Sequence, residues 1–170
     1  MIRLVRPGKE HEAKAAAFKQ EFIDNGTPII NGSELLDQMD SYDDWLKSVT
    51  DNTSKDTVNP TWVETDTYFA IDDNDSIVGI IDLRHELNDF LKDFGNSGYS
   101  VRPSERRKGY ATKMLGLILG RAREIGMTSL QLGVERTNEP SVKTILKNGG
   151  KYQRSFTFEG QEADVYIIEL

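Results

Sequence analysis

The sequence predicts an α/β fold in which helices flank a mixed β-sheet. Two β-prone runs, at residues 67–71 and 76–83, enclose the turn-forming Asp-Asp-Asn-Asp segment at residues 72–75, which is typical of a β-hairpin. Residues 109–125 place apolar side chains at helical spacing and end at Gly126, where a left-handed residue closes many helices. With 170 residues and no internal repeat, we expect a single domain.

The first part of the chain predicts one strand and two or three helices. Residues 2–5 form a short strand pattern, and the Ala-rich residues 9–22 are typical of a helix. Residues 33–48 predict one or two short helices, with Ser33 as a possible N-cap. Residues 51–60 are rich in Asp, Asn, Thr and Pro, which indicates a loop.

The second part alternates strands with helices and ends in a hairpin. Beyond the hairpin and helix above, the predicted elements are strands at 99–101 and 129–134, a helix from Pro140 to the Gly149-Gly150 pair, and terminal strands at 151–158 and 163–169. The order is therefore β, α, α, β, β, β, α, β, α, β, β.

Composition excludes several kinds of protein. Without cysteine, the chain has no thiolate nucleophile, disulfide framework or cysteine-ligated metal, and we expect no metal cofactor. A net charge of −7 disfavours a nucleic-acid or membrane-surface partner, since both need a cationic face. No apolar run approaches the roughly 18 residues that span a bilayer, and the N-terminus lacks a signal-peptide pattern, so we expect a cytoplasmic protein.

One segment reverses the charge of the chain. Residues 102–113 hold five basic residues and one acid, a local charge of +4 between a predicted strand and a predicted helix. A helix N-terminus presents unpaired N–H groups and a positive dipole end, which favours a phosphate ligand. Gly109 has no Cβ and would allow close approach to the main chain. From charge and spacing alone, anion binding and a merely solvated loop remain equally open.

The motif in this segment resembles a known family. Residues 106–111, Arg-Arg-Lys-Gly-Tyr-Ala, resemble the Arg/Gln-x-x-Gly-x-Gly/Ala signature of the GNAT superfamily of N-acetyltransferases, and Val-Arg-Pro at 101–103 is similar to its strand-end Val-x-Pro. Residues 138–141, Asn-Glu-Pro-Ser, with Gly149 eleven residues after the Asn, resemble a second family segment. The wider stretch 98–114 is similar to a bacterial branch of predicted acetyltransferases.

The resemblance implies a mostly antiparallel sheet of six to seven strands, flanked by about four helices and splayed between the fourth and fifth strands. It implies acetyl-CoA as cosubstrate, with its pantetheine between residues 98–101 and 129–134, and Val101 at or next to the main-chain donor to the thioester carbonyl. The implied cofactor-binding residues are Val101, Arg102, Arg106, Arg107, Lys108, Gly109, Tyr110, Ala111, Thr112, Asn138 and Ser141. Asn138 and Ser141 are equally compatible with capping a helix.

The chain departs from the family at positions that matter for catalysis. Ile145 occupies the position of the Tyr that serves many relatives as general acid, which leaves that role to water, Tyr110 or Tyr152. No Glu is present in residues 98–101, where several relatives keep a base. His85, whose ordinary pKa is near 6.5, is the predicted substitute, with a structural role as the alternative.

The acceptor is predicted only as a class. Residues 31–66 hold nine acids and two lysines, and this charge would concentrate a cationic amine of a small molecule or peptide, unless the acids form a solvated face. Trp45, Trp62 and Tyr68 could line its pocket or pack in the core. The resemblance also allows a homodimer. The alternative to an enzyme is a non-catalytic acyl-CoA-binding module.

Overall fold

A computed structural model describes all 170 residues and contains seven strands and four α-helices. Along the chain these are β1 (Arg3–Val5), α1 (Glu12–Asp24), α2 (Tyr42–Asp51), β2 (Thr65–Ile71), β3 (Ile77–Arg84), β4 (Tyr99–Val101), α3 (Tyr110–Glu124), β5 (Ser129–Glu135), α4 (Glu139–Lys147), β6 (Lys151–Phe158) and β7 (Gln161–Glu169). Short 3-10 turns precede α1 and α3. None of the helices combines the length and the apolar character that a bilayer-spanning segment requires.

The strands form two antiparallel sheets that meet at a break between β4 and β5. One sheet has the order β1-β2-β3-β4, and the other has the order β5-β7-β6. Backbone hydrogen bonds join them only around a bridge between Gly95 and Leu132, where the Asn96 amide donates to the Gln131 carbonyl at 2.7 Å. The predicted α/β fold, both hairpins and the splay between the fourth and fifth strands are confirmed.

Apolar side chains cover both faces of this strand array. Met114, Leu115 and Ile118 of α3 pack in a core of 16 buried residues with side chains of β3, β5 and β7. A second core of 11 buried residues places α1 and α2 against the other face. Because α3 is fixed along its length by this packing, its first turn has a defined position next to the end of β4.

The segment before α2 differs from the sequence prediction. Instead of a helix beginning at Ser33, residues 33–40 form turns, and α2 is capped by Ser41, whose Oγ accepts from the Asp44 amide at 3.2 Å. Glu34 and Leu35 both have positive φ, which no right-handed helix allows. Trp45 is fully buried in the core, so it does not line a pocket.

Candidate functional site

A row of unpaired backbone amides lies at the start of α3. The N–H groups of residues 107–112 make no hydrogen bond within the protein, and the first helical bond runs from the Lys113 amide to the Gly109 carbonyl. Gly109 precedes the helix with a φ of 81°, a left-handed conformation that favours glycine. Six adjacent donors at a helix N-terminus can surround an anion such as a diphosphate.

The outer edge of β4 adds further main-chain donors. The Arg102 amide donates to Val78 at 2.7 Å and the Asp82 amide donates to Gly98 at 3.1 Å, so the even-numbered residues of this segment pair with β3. Tyr99 and Val101 therefore direct their N–H and C=O groups away from β3, toward the break between the sheets. This open edge leads directly into the amide row.

The basic side chains of the loop divide into two groups. Arg102 binds Glu21 of α1 through Nε at 2.9 Å, and the Ser104 amide donates to the same carboxylate at 2.8 Å. Burial opposes ionisation of Glu21, but these hydrogen bonds outweigh it and lower the pKa of Glu21. Arg102, one of the predicted cofactor-binding residues, therefore anchors the loop to α1 through its guanidinium.

The side chains of Arg106, Arg107 and Lys108 are exposed beside the amide row. Arg106 donates to the Val101 carbonyl at 3.3 Å, and its guanidinium lies 5.8 Å from the Phe22 ring centroid. Lys108 pairs with Glu105 at 2.7 Å. Arg107 makes no ion pair, so the loop offers cationic side chains as well as amides. Tyr110, Ala111 and Thr112 contribute the last three amides of the row.

A tyrosine and a serine meet across the break. Asn138 caps α4, since its Oδ1 accepts from the Ser141 amide at 3.4 Å, and this places Ser141 Oγ 2.7 Å from the hydroxyl of Tyr99 on β4. Burial raises the pKa of the Tyr99 hydroxyl, and the hydrogen bond to Ser141 offsets part of that rise. The sequence did not single out Tyr99, because a tyrosine in a β-strand normally indicates packing.

The alternatives for a proton donor lie elsewhere. Ile145 is buried in the core and has no proton to give. Tyr152 is 59% exposed on β6, and its hydroxyl bonds to Ser155 at 2.7 Å. Tyr99 adds a further candidate, because its hydroxyl reaches from β4 to Ser141 of α4.

His85 belongs to a charge network at the other end of the sheet. Its Nε2 lies 2.8 Å from Asp66, which also pairs with Arg6 at 2.9 Å and Arg121 at 3.3 Å. Burial opposes ionisation of Asp66, but the hydrogen bond from His85 and the charge of Arg6 lower the pKa of Asp66 to about 2. This network fits the structural alternative for His85.

The strand register separates His85 from Val101. Val101 pairs with Gly79, and His85 follows six residues later along β3, which corresponds to about 20 Å. The structure therefore does not bring the two predicted catalytic residues together.

A cavity of about 620 Å³ lies beside His85 rather than beside the amide row. Glu64, Gly126 and Gln131 contribute to its wall. Gly126 follows the C-terminus of α3, so the cavity lies at the far end of this 15-residue helix, about 22 Å from its first turn. No group of three or more His, Asp or Glu side chains is arranged to hold a metal ion.

Comparisons with known proteins agree with this geometry. Residues 36–149 match the model of the acetyltransferase (GNAT) family. The structure of yncA from Salmonella typhimurium with its cofactor acetyl-CoA aligns at a TM-score of 0.69 and 15% identity, over 100% of this chain and 93% of that chain. The GNAT domain of PAT from S. lividans aligns at 0.65 and 15% identity, over 99% and 89% of the two chains.

A mutant of spermidine N-acetyltransferase SpeG from Vibrio cholerae aligns at a TM-score of 0.66 and 14% identity, over 99% of this chain and 94% of that chain. No curated protein matches the sequence. At such identities the structural likeness establishes the fold, while the family match rests on the sequence of residues 36–149.

Proposed function

The chain belongs to the GNAT family of acetyltransferases, and from that premise we propose that it transfers an acetyl group from acetyl-CoA to a primary amine. Both substrates would be bound together, and the amine would attack the thioester directly. The observation that carries the proposal is the continuous main-chain surface formed by the amide row at 107–112 and the open edge of β4.

The amide row fits the diphosphate of CoA. Its six N–H groups supply hydrogen bonds without requiring particular side chains, and the helix dipole adds positive potential. Arg106, Arg107 and Lys108 are exposed beside it and can pair with phosphate oxygens. Arg102 contributes indirectly, because its ion pair with Glu21 holds the loop in place.

The open edge of β4 fits the pantetheine and the thioester. The N–H groups of Tyr99 and Val101 project into the break, where they can hydrogen-bond the thioester carbonyl as it becomes an oxyanion. Held in this way, the two reactants gain rate from proximity alone. We therefore propose the amides of Tyr99 and Val101 as the donors to the thioester carbonyl, where the sequence predicted one donor at or next to Val101.

Tyr99 is our candidate for the residue that protonates the leaving thiolate. When the C–S bond breaks, the phenol would give its proton to sulfur, and Ser141 Oγ, 2.7 Å away, would hold the phenol in position. A tyrosine phenol is protonated at neutral pH in any case, and burial raises the pKa of Tyr99 further. Ser141 would thereby act beside the sulfur, and Asn138 would act by fixing the first turn of α4.

A cationic amine is the acceptor class that the charge of residues 31–66 favours. One structural neighbour is a spermidine N-acetyltransferase, which acts on an amine of this class. A small molecule and a peptide remain open as the carrier of that amine. A homodimer and a cytoplasmic location also stay predictions.

The burial of Ile145 at the usual acid position favours the second candidate, a non-catalytic acyl-CoA-binding module. One experiment separates the two. Thermal unfolding with and without CoA measures binding, and acetyl-CoA incubated with a panel of primary amines is assayed for free thiol. We expect a higher melting temperature and amine-dependent thiol release. Stabilisation without release supports the binding module, and no stabilisation by CoA contradicts both.

A further inference from the structure

The break between the two sheets is closed at one end by residues 93–96, which we call the closing segment. The Phe94 carbonyl accepts from the Gly133 amide at 3.2 Å, and the Asn96 amide donates to the Gln131 carbonyl at 2.7 Å. These bonds form an antiparallel bridge on the edge of β5 that β7 leaves free. The edge of β5 between Gln131 and Gly133 is therefore filled by the protein's own chain.

Side chains fasten the closing segment to both sheets. Asn96 is buried, and its side-chain amide donates to the Arg84 carbonyl of β3 at 3.0 Å and accepts from the Gln131 amide of β5 at 2.9 Å. The Arg84 guanidinium donates to the Gly95 carbonyl at 2.9 Å. Because both ends of the Asn96 amide group are bonded within the protein, the closing segment is satisfied without a ligand.

Two glycines allow the closing segment to lie directly against β5. A Cβ on Gly133 would collide with the Asp93 carbonyl, and a Cβ on Gly95 would collide with the Gln131 carbonyl. Gly95 also has a φ of 87°, a left-handed conformation that favours glycine. The Asp93 carboxylate pairs with Arg154 of β6 at 2.6 Å. The closing segment is therefore packed against β5 without a gap.

The strand register gives the depth of the break on the β4 side. Tyr99 of β4 pairs with Ile81 of β3. The Asn96 carbonyl accepts from the Arg84 amide, which lies three residues further along β3. At about 3.3 Å per residue, the break therefore ends about 10 Å beyond the level of Tyr99, in the direction away from the amide row.

The break is shallower on the β5 side. β5 begins beside the cavity described above and ends before α4, whose Ser141 bonds Tyr99. Gly133 therefore lies nearer to Tyr99 than Gln131 does, by two residues or about 7 Å. The contact between Gly133 and Phe94 thus lies only about one residue beyond the level of Tyr99.

A large cavity begins on the far side of the closing segment. Asn96 and Gln131 also line the cavity of about 620 Å³ beside His85. The closing segment therefore separates this cavity from the break, and without it the two spaces would join.

We propose that the closing segment forms the floor of the acyl pocket and excludes donors whose acyl group is longer than acetyl. This inference rests on the proposed function, in which the phosphates of CoA bind the amide row and the thioester carbonyl binds near Tyr99. The acyl group then points toward the closed end of the break. A methyl group fits the space of about one residue that remains on the β5 side. The three further carbons of a butyryl group would meet the Phe94 carbonyl and Gly95.

Calorimetric titration of CoA, acetyl-CoA and butyryl-CoA tests the floor without an acceptor amine. We expect the wild type to bind acetyl-CoA within about threefold of CoA, and butyryl-CoA at least about tenfold more weakly, since one methylene too many costs a pocket about tenfold or more. Equal binding of acetyl-CoA and butyryl-CoA would overturn the proposal and leave the cofactor site intact. Failure of all three ligands to bind would contradict the proposed function instead.

Two variants should open the floor. Gly133→Ala forces the closing segment away from β5, and Asn96→Ala removes the side chain that bonds both sheets. Gly120→Ala is the matched control, because Gly120 lies in α3 and no atom is near the added Cβ. Melting temperatures establish that each variant is folded.

We expect the opening variants to bind butyryl-CoA within about threefold of acetyl-CoA, while Gly120→Ala keeps the preference of the wild type for acetyl-CoA. A wild-type preference retained by folded Gly133→Ala and Asn96→Ala proteins would overturn the assignment of the floor to the closing segment.

Discussion

The Tyr99 hydroxyl can be removed with little change in packing. Tyr99→Phe keeps the ring and abolishes the proton donor, so we expect kcat to fall by about a hundredfold while the Kd for CoA stays within about twofold. Tyr152→Phe removes an exposed hydroxyl from β6 and serves as the matched control. Steady-state kinetics and CoA titration measure both quantities. An unchanged kcat would assign thiolate protonation to water.

A substitution of Arg106 tests which part of the cofactor this side chain contacts. The Arg106→Ala variant should weaken binding of CoA by about tenfold and leave binding of pantetheine nearly unchanged, because the side chain is exposed beside the amide row. Calorimetric titration of both ligands checks this, with Arg123→Ala at the far end of α3 as control. Equal losses for the two ligands would contradict the placement of the diphosphate.

The ionisation of Asp66 makes the stability of the fold depend on pH. Its pKa is lowered to about 2, so its ionised form stabilises the fold above the unfolded pKa of roughly 3.9, and this contribution disappears as the pH falls through about 2. Asp66→Asn should therefore reduce the free energy of unfolding at pH 7 by on the order of 2 kcal/mol, and by less at pH 3. Urea unfolding at the two pH values tests this.

The His85→Ala variant tests whether His85 contributes to stability or to catalysis. His85 bonds Asp66, so the substitution should lower the free energy of unfolding. His85 also lies about 20 Å along the strand from Gly79, the residue paired with Val101, so we expect kcat at neutral pH to be retained. A folded His85→Ala protein with much lower turnover would instead support the catalytic role that the sequence predicted.

Helix α3 has a left-handed glycine at each end, which permits a controlled comparison. Gly109 has a φ of 81° and Gly126 a φ of 87°, and a Cβ at either position would meet no atom within 4 Å. Valine should therefore introduce similar backbone strain at both positions, of about 1–3 kcal/mol. We expect only Gly109→Val to weaken CoA binding, by more than tenfold, because only Gly109 lies in the amide row. Melting temperatures and CoA titrations of the two variants measure these effects.

Elements with local signals were predictable from the sequence. The apolar spacing of α3 and the turn residues between β2 and β3 act over a few positions, and both elements appear where expected. The start of α2 was not predictable in the same way. Glu34 has a left-handed conformation and follows Asn31 and Gly32, which contact Ser100 and Gly98. Such tertiary contacts leave no periodic pattern in the sequence.

At the scale of the whole molecule, the site depends on pairings that the sequence does not display. The family motif located the loop before α3, and its main-chain chemistry follows from helix geometry. The meeting of Tyr99 with Ser141 requires the strand register and the break between the sheets. The same register places His85 about 20 Å along the strand from Gly79, the residue paired with Val101, and the sequence does not display that separation either.

The break also predicts how the cofactor affects the whole fold. The two sheets share backbone hydrogen bonds only near Gly95 and Leu132, so a ligand between β4 and β5 would connect them along its length. Saturating CoA should slow amide exchange in residues 99–101 and 107–112, and in β5, while β1 and β6 at the outer edges change little. Hydrogen-exchange mass spectrometry measures this directly. Protection confined to one sheet would exclude a ligand in the break.

The charge pattern described for the loop has a kinetic consequence. The molecule carries a net charge of −7, but residues 102–113 carry +4. A polyanion is therefore repelled by most of the surface and attracted to this loop. Binding of CoA would therefore begin with its phosphates at the loop, and the thioester would enter the break afterwards. Added salt screens this attraction, so it should lower the association rate constant of CoA more than it changes the dissociation rate constant.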